Sequence, residues 1–127
     1  MASIDNLKTI LQGANISDGR QRFVVYKEDD SVTNKNSINL YYTGDNNWVS
    51  EITKKASYYR NRIQVVVRHQ NKTTAREKSY ELLEYINARR KTLSGVYFIP
   101  FDTPIFLGMD NTSSYIYGFN VDAKGAL

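Results

Sequence analysis

The apolar positions at the start of the chain predict a helix. Ile4, Leu7, Leu11 and Ala14 recur at spacings of three, four and three residues, which places all four on one side of a helix. Ser3 is a suitable N-cap, because its hydroxyl accepts an otherwise unpaired backbone N–H. We therefore expect a first helix that begins at Ser3 and packs through one apolar stripe.

A second helix is predicted in the second half of the chain. Thr74-Ala-Arg-Glu77 matches the capping box, in which the Thr hydroxyl and the Glu carboxylate each accept an unpaired backbone N–H. One buried stripe follows at helical spacing and consists of Ala75, Ser79, Leu82, Leu83 and Ile86. The cationic run 89–91 is expected to end this helix, since positive charge is favoured at a helix C-terminus.

Six segments rich in β-branched and aromatic residues predict strands. They cover residues 22–27, 38–43, 62–69, 96–101, 105–108 and 114–121. Most of them alternate apolar and polar positions, which indicates one packed face and one wetter face. The segment 96–101 is apolar on both faces, so we expect it inside the sheet. The tail after residue 121 is expected to have little structure.

Taken in order, these elements predict an α+β fold. We expect a mostly antiparallel, twisted sheet of five to six strands, with two main helices packed on one face. The 127 residues suit a single domain spanning the whole chain, 1–127. A domain of this size buries roughly two thirds of its unfolded surface, which is enough for a core without added cross-links.

Composition narrows the possible chemistry. The chain has no cysteine and one histidine, which excludes disulfides, thiol nucleophiles, and metal sites built on cysteine or on several histidines. No apolar run approaches the roughly 20 residues that span a bilayer, and the first residues lack a signal-peptide pattern. We therefore expect no cofactor, no metal and no membrane partner.

The net charge of +4 is unevenly distributed along the chain. Eight basic residues lie between positions 54 and 78 against Glu77 alone, whereas three aspartates after position 101 face only Lys124. The eight are Lys54, Lys55, Arg60, Arg62, Arg68, Lys72, Arg76 and Lys78. We expect a basic side and a mildly acidic side, an arrangement that can steer head-to-tail self-association or attract a polyanion.

Candidate catalytic groups are few. His69 can act as a general base, but it lies among cationic residues with no carboxylate near in sequence, and we expect it to face solvent. Asp45, Asp102 and Asp110 can pair as acid and base, although turns favour Asp for backbone reasons alone. We therefore expect no enzyme, and a small acid–base enzyme is the least favoured of three hypotheses.

Two surface features point to binding. The basic run, with Tyr58 and Tyr59 inside it, fits a small basic nucleic-acid-binding module, although no known module signature is present. The strand tyrosines, among them Tyr41, Tyr115 and Tyr117, exceed what a core requires, and tyrosine is favoured at protein interfaces. A subunit interface is thus the first hypothesis, and the nucleic-acid-binding module is the alternative.

Four stretches, in this order, resemble one known family. They are Leu40-Tyr-Tyr-Thr-Gly-Asp45, the block from Arg62 to Glu81, Gly108-Met-Asp-Asn111 and the closing Phe119-Asn-Val-Asp122. The most specific part is a Gln-Val-Val-Val-Arg strand that leads into a Thr-Ala-Arg-Glu helix within residues 64–77. Over residues 22–122 the chain resembles the minor capsid or tail terminator proteins of long-tailed bacteriophages (siphoviruses), also called tail-to-head joining proteins.

The resemblance implies a structural role in the virion and no catalytic residues. It implies a hexameric ring at the head-proximal end of the tail, which caps the tail tube, stops its polymerisation and joins it to the head connector. The implied partners are further copies of the chain, the tail tube protein and the head–tail connector or stopper protein. The resemblance further implies that phage DNA passes through the ring without sequence-specific binding. It also implies that the chain is made in the host bacterial cytoplasm and can be monomeric until it meets the tube.

These arguments give two sets of candidate residues. The subunit-interface or lumen candidates are Lys54, Lys55, Arg60, Arg62, Arg68, Lys72, Tyr41, Tyr115 and Tyr117. The loops 28–37 and 44–60 are expected to become ordered on assembly, and their candidates are Asp29, Asp30, Asn34, Lys35, Asn46 and Asn47. Since the lumen must pass DNA, we expect the basic cluster to lie partly in subunit contacts.

Overall fold

The computed structural model describes residues 3–33, 35–43, 47–50, 57–88, 97–110 and 113–126. Two helices and seven strands lie in these ranges. The helices are α1 (Ser3–Gly13) and α2 (Lys72–Ala88). The strands are β1 (Val24–Lys27), β2 (Ser37–Tyr42), β3 (Asn47–Ser50), β4 (Ser57–His69), β5 (Tyr97–Pro100), β6 (Ile105–Met109) and β7 (Tyr115–Ala126).

The sheet is built around a long two-stranded ribbon. β4 and β7 pair antiparallel from Tyr58 opposite Ala126 to His69 opposite Tyr115. The other side of β4 pairs with β2 and β3, and the other side of β7 pairs with β5 and β6, all antiparallel. β1 is parallel to β2. The predicted α+β class with a mostly antiparallel sheet is therefore confirmed.

Backbone pairing extends the sheet beyond the predicted strands. No strand is predicted between residues 44 and 61, yet β3 pairs there with the start of β4. The tail after residue 121 also continues as part of β7, because residues 122–126 each have a partner on β4. These segments lack a clear apolar alternation. Their hydrogen bonds to neighbouring strands hold them, and such pairing is not visible in a local sequence pattern.

The sheet has two different outer edges within the described ranges. β1, which pairs with β2, and β3, which pairs with β4 on the same side, form one edge, and β5 and β6, which both pair with β7, form the other. The prediction that the segment 96–101 lies inside the sheet is therefore wrong. Phe98 of β5 is fully buried, whereas Tyr97 is 42% exposed. One side of this segment is therefore buried in the core, and its other apolar side is exposed at the edge of the sheet.

Both helices pack on one face of the sheet, as predicted. Leu7 and Leu11 of α1 and Leu82 and Ile86 of α2 join one buried cluster with the odd-numbered side chains of β4. The strand members of that cluster are Val25, Ile38, Leu40, Ile63, Val65, Val67, Phe98, Phe119, Val121 and Ala123. Burying each large aliphatic side chain contributes roughly 1.5–3 kcal/mol. Because side chains alternate along a strand, the even-numbered residues of β4 lie on the opposite face.

The second helix begins earlier than the capping-box pattern predicts. α2 starts at Lys72, and the carboxamide Oδ1 of Asn71 accepts the backbone N–H of Thr74 at 3.1 Å. The Asn71 carbonyl also accepts the N–H of Ala75 at 3.0 Å, as the first bond of the helix. Asn71 is therefore the N-cap, and Thr74 lies in the first turn. The predicted capping box is therefore wrong, because Asn is as good a cap as Thr and stands three residues earlier.

Candidate assembly surface

The single histidine does not face solvent, so that prediction is wrong. His69 lies at the end of β4, is 9% exposed and stacks on Phe23 with ring centroids 5.5 Å apart. Its Nδ1 accepts the backbone N–H of Asn71 at 2.8 Å, and its Nε2 lies 2.8 Å from Oδ2 of Asp18. In the neutral ring the proton therefore lies on Nε2 and is donated to the Asp18 carboxylate.

Asp18 organises the tight turn that brings it to His69. Its Oδ1 accepts the backbone N–H groups of Arg20 and Gln21, both at 2.8 Å. Gly19 between them has a φ of +93°, which glycine adopts without a steric penalty. The Gln21 N–H, then the His69 ring and then the Arg20 N–H hold the pKa of the Asp18 carboxyl well below its usual range.

A polar cleft of about 630 Å³ surrounds this pair. Asn36 lines the cleft and donates its amide to Oδ2 of Asp18 at 3.1 Å and to Oε1 of Gln21 at 3.2 Å. Both ring nitrogens of His69 are occupied within the protein, so the ring has no free nitrogen for a substrate. The geometry assigns this cluster to holding the 16–23 hairpin against β4 and the start of α2.

The aspartates considered as an acid–base pair have separate partners. Asp102 accepts the backbone N–H of Asn120 at 2.7 Å and its side-chain amide at 2.9 Å. Asp110 forms an ion pair with Arg68 and accepts the N–H of Ser114 at 3.0 Å. Asp45 lies outside the described residues. The carboxylates of Asp102 and Asp110 thus form hydrogen bonds and an ion pair that connect segments next to β6 and β7.

The face of the sheet opposite the helices carries Arg62 and Arg68, two of the predicted cations of β4. We call Tyr41, Arg62, Gln64 and Arg68 the open face, since all four project from β2 and β4 away from the main core. Arg62 and Asp122 are direct cross-strand neighbours and form an ion pair at 3.0 Å. Arg68 forms its ion pair with Asp110.

The predicted separation into a basic side and an acidic side is therefore wrong for these residues. Arg62 and Arg68 of the basic run lie on β4, which pairs along its length with β7, where Asp122 lies, while Asp110 follows β6. Two of the three late aspartates neutralise two of the eight cations within the chain. The strand register places charges that are far apart in sequence next to each other. A count of charges along the chain does not show this pairing.

Two further cation contacts lie at the far edge of the sheet. The guanidinium of Arg62 stacks over the ring of Phe101 at 3.9 Å from its centroid. The ammonium of Lys72 lies 4.6 Å from the centroid of Phe106, whose ring also packs against Tyr117 at 5.4 Å. Such contacts contribute about 0.5–1 kcal/mol at exposed positions. Two of the predicted interface cations thus contact the rings exposed at this edge.

Large apolar side chains are exposed together at the β5–β6 edge. We call this set the apolar edge; its members are Tyr97, Phe101, Ile105, Phe106, Leu107 and Met109, each 42–58% exposed. No charged residue occurs from position 103 to 109. Soluble proteins usually protect edge strands with charges, because an unpaired strand edge can pair with another chain. An uncharged apolar edge of this kind marks a protein-interaction surface.

The three predicted interface tyrosines are placed differently. Tyr41 is 37% exposed on the open face. Tyr117 is buried, and Tyr115 is half-buried with its ring 6.3 Å from that of Phe106. Tyr115 and Tyr117 therefore pack against the ring of Phe106, and Phe106 is the member of this group that is exposed at the apolar edge.

The remaining predicted residues are only partly described. Lys54, Lys55, Asn34 and Asn46 lie outside the described residues. Arg60 lies in β4 and Asn47 in β3, and their side chains also lie outside the description. Lys35 is exposed beside the polar cleft, and Asp29 is exposed after β1.

Asp30 already forms a hydrogen bond and an ion pair within the single chain. Its Oδ2 accepts the backbone N–H of Lys27 and forms an ion pair with Lys8, both at 3.0 Å. The Lys27 N–H and then the Lys8 side chain lower the pKa of the Asp30 carboxyl. The Lys27 ammonium binds Asp5 at 2.8 Å, and this hydrogen bond is the main reason that the pKa of Lys27 is raised.

The residues that sequence reasoning missed are those of the β6 edge. The sequence predicts an ordinary short strand over Ile105–Gly108 and a turn from Met109, and neither is among the candidate binding residues. A usable signal was present, because the run after Pro104 is apolar at successive positions and does not alternate. A short run of this kind fits a buried strand equally well. Only the strand order shows that it forms an exposed edge.

The described residues contain no group of three or more acidic or histidine side chains arranged to hold a metal ion. None of the helices in the described ranges is both long and apolar enough to cross a membrane.

Comparison with known proteins gives one match. The family described as bacteriophage tail terminator protein matches residues 7–126 of the chain. No curated protein matches the sequence. The match covers both helices and all seven described strands apart from the first residues of α1.

Proposed function

The chain belongs to the bacteriophage tail terminator family, and from that membership we propose that it caps the tail tube as a hexameric ring. As a family member it is a structural protein of the phage tail. In the proposed role the ring binds the head-proximal end of the tube, stops further polymerisation and joins the tail to the head connector. The family match is the observation that carries this proposal.

The two unlike sheet edges support the ring. A closed cyclic ring needs two different patches on each copy, because every subunit contacts its two neighbours through different surfaces. β1 at one edge and the apolar edge at the other provide two such patches on opposite sides of one sheet. A single self-complementary patch would favour a two-fold dimer instead.

The open face supports passage of DNA without tight binding. A lumen that held phosphates strongly would slow genome transfer, because each phosphate contact adds to a salt-dependent affinity. Arg62 and Arg68 carry aspartate partners, which reduces the positive field that they present. In the proposed ring the basic run is divided between neutralised cations on the open face and contacts between subunits.

The proposal is tested with phage in which the gene is disrupted. We expect tails longer than normal and unattached to heads in lysates imaged by electron microscopy, and restoration by the wild-type chain supplied in trans. A control chain carrying Tyr80→Phe, on the exposed side of α2, should restore normal tails equally well. Joined tails of normal length without the protein would contradict the proposal. A ring of six subunits should be visible at the head-proximal tube end in averaged images.

A further inference from the structure

We propose that the polar cleft around Asp18 binds carboxylate groups of the neighbouring subunit in the ring. These carboxylates belong to Glu77, Glu81 and Glu84, which we call the acidic stripe of α2. The inference rests on the proposed ring and names two surfaces that join its subunits. The occupant of the cleft is thus a second copy of this chain.

The carboxylate inside the cleft is already used within the chain. Oδ1 of Asp18 accepts the backbone N–H groups of Arg20 and Gln21. Its Oδ2 accepts the ring N–H of His69 and the side-chain amide of Asn36. Because a carboxylate offers about four acceptor positions, the Asp18 carboxylate is fully occupied. A ligand of the cleft therefore gains little by donating a hydrogen bond to it.

The walls of the cleft carry donor groups. Arg20 and Lys35 line the cleft with exposed side chains, and neither forms an ion pair within the described ranges. Gln21 and Gln70 also line it, and Oε1 of Gln21 accepts the amide of Asn36, which leaves its amide nitrogen as a further donor. Two cations with additional N–H donors suit an oxyanion, because hydrogen bonds between charged groups are the strong ones. The side chains of proteins supply such an oxyanion as a carboxylate.

The outward side of α2 carries carboxylates that match. Glu77, Glu81 and Glu84 follow each other at spacings of four and three residues, so they share one side of the helix. All three are exposed, while the buried residues of α2 lie on its other side. Lys78 forms an ion pair with Glu81 at 3.0 Å, whereas Glu77 and Glu84 form no ion pair within the described part of the chain. Two carboxylates of the stripe are thus available to the two cations of the cleft.

A single chain does not bring its stripe into its own cleft. α2 begins at Lys72, shortly after Gln70 in the cleft, and its later turns lie progressively farther along the helix. With a rise of 1.5 Å per residue, the three glutamates lie about 8–18 Å from the start of α2. The cleft and the stripe are therefore two unlike patches, and a closed ring needs two unlike patches on every subunit.

The shape and charge of the cleft favour a neighbouring copy over DNA. The cleft is a recess of about 630 Å³ that contains the Asp18 carboxylate between Arg20 and Lys35 on its walls. DNA-binding surfaces gain affinity by neutralising many successive phosphates, whereas this recess suits one or two carboxylates. Opposite charge also selects which patches meet, because contacts between two clefts or between two stripes place like charges together.

Charge reversal tests the contact with two complementary variants. The cleft variant carries Arg20→Glu with Lys35→Glu, and the stripe variant carries Glu77→Lys with Glu84→Lys. Each variant supplied alone to phage with a disrupted gene places like charges in every contact, so the number of rings on tails should fall about tenfold or more. The two variants supplied together should restore rings, because every cleft then meets a stripe of opposite charge in an alternating ring of six.

A single substitution gives a second readout with a matched control. Lys35→Glu leaves the turn at Asp18 unchanged and should reduce the number of rings about threefold or more. Arg76→Glu makes the same charge change at an exposed cation of α2, where an added carboxylate does not oppose the cleft, and should leave rings at wild-type frequency. All substituted side chains are exposed, and each purified variant is first checked for a native circular dichroism spectrum and melting temperature.

Several results would overturn the inference. Rings at wild-type frequency from either variant alone, no recovery from the mixture, or equal losses from Lys35→Glu and Arg76→Glu would show that the cleft and the stripe do not meet. Normal rings combined with weaker DNA binding by the cleft variant would assign the cleft to phosphate groups instead. In each case, rings formed by the wild-type chain leave the proposed function intact. Absence of a ring from wild-type tails would overturn the proposed function itself.

Discussion

His69 shows how one side chain can join three parts of the chain. Its ring stacks on Phe23, donates to Asp18 and accepts from the backbone of Asn71 at the start of α2. Asp18 is 51 positions away in sequence, so its carboxylate could not be anticipated from the residues beside His69. The same separation explains why the histidine was predicted to be exposed.

The first prediction concerns Asp18 and pH. Because folding lowers the pKa of this carboxyl, its ionised form stabilises the fold above the unfolded pKa of about 3.9, and the contribution disappears as pH falls toward the folded pKa. Asp18→Asn keeps an acceptor oxygen but removes the charge. We expect the free energy of unfolding to be lower than in the wild type at pH 7, with the difference shrinking below about pH 4.

Urea denaturation at a series of pH values measures this difference. Asp29→Asn is the matched control, since it makes the same charge change at an exposed carboxylate. A difference between wild type and Asp18→Asn that stays constant from pH 7 to pH 2.5 would contradict the assigned role.

The second prediction concerns Gly118 in β7. A Cβ at this position would lie 2.7 Å from Cδ1 of Leu107 and 3.3 Å from the carbonyl oxygen of Val65. Gly118→Ala should therefore turn the exposed Leu107 side chain aside and press on the Val65 carbonyl, which should destabilise the fold by about 1 kcal/mol, the low end of overpacking. Gly13→Ala is the control, because its nearest new contact is an ordinary 3.7 Å. Thermal unfolding of the two variants compares them directly, and equal melting temperatures would contradict the packing argument.

At the scale of elements, the third prediction separates two possible caps of α2. Asn71→Ala removes the acceptor of the Thr74 N–H and should cost about 1 kcal/mol of stability. Thr74→Ala should cost less than about 0.5 kcal/mol, because Thr74 lies inside the helix and alanine is a strong helix former. Chemical denaturation measures both, and a larger loss from Thr74→Ala would restore the capping-box interpretation.

The elements with strong periodicity were predictable from the sequence. The stripe through Leu82 and Ile86 and the alternation around Val65 reflect burial, which leaves a local pattern. β3 and the last part of β7 were not predictable, because their place in the sheet depends on pairing with β4 and leaves no clear alternation in the sequence. The position of β5 could not be inferred either, since strand order depends on long-range pairing.

At the scale of the whole molecule, strand pairing turns separated charges into neighbours. Arg62 and Asp122 are 60 residues apart and lie side by side. The sequence therefore predicts the cations of β4, but it does not predict that aspartates neutralise two of them. Arg62 and Arg68 lie on β4 with partly buried side chains, and their aspartate partners and the adjoining apolar edge emerged only with the fold.

The fourth prediction tests that neutralisation. Asp110→Asn with Asp122→Asn removes the ion-pair partners of two arginines on the open face, so the affinity for DNA should increase. The affinity should also decrease more steeply as salt is added, and the slope of log binding constant against log salt concentration should change by about 2. The control is Asp29→Asn with Glu77→Gln, which adds the same charge at exposed carboxylates. Fluorescence anisotropy with short duplex DNA measures both slopes. Equal slopes would show that the two arginines contribute no phosphate contacts.

β6 contains a bulge between Phe106 and Gly108, where Gly108 has a φ of +118°. A bulge bends its strand and increases the local twist, so this exposed edge is not straight. A long, straight and uncharged edge is the form that pairs most readily with the edge of another molecule and leads to aggregation. The curvature of these five residues therefore protects the single chain from open-ended sheet growth, which its lack of charge would otherwise favour.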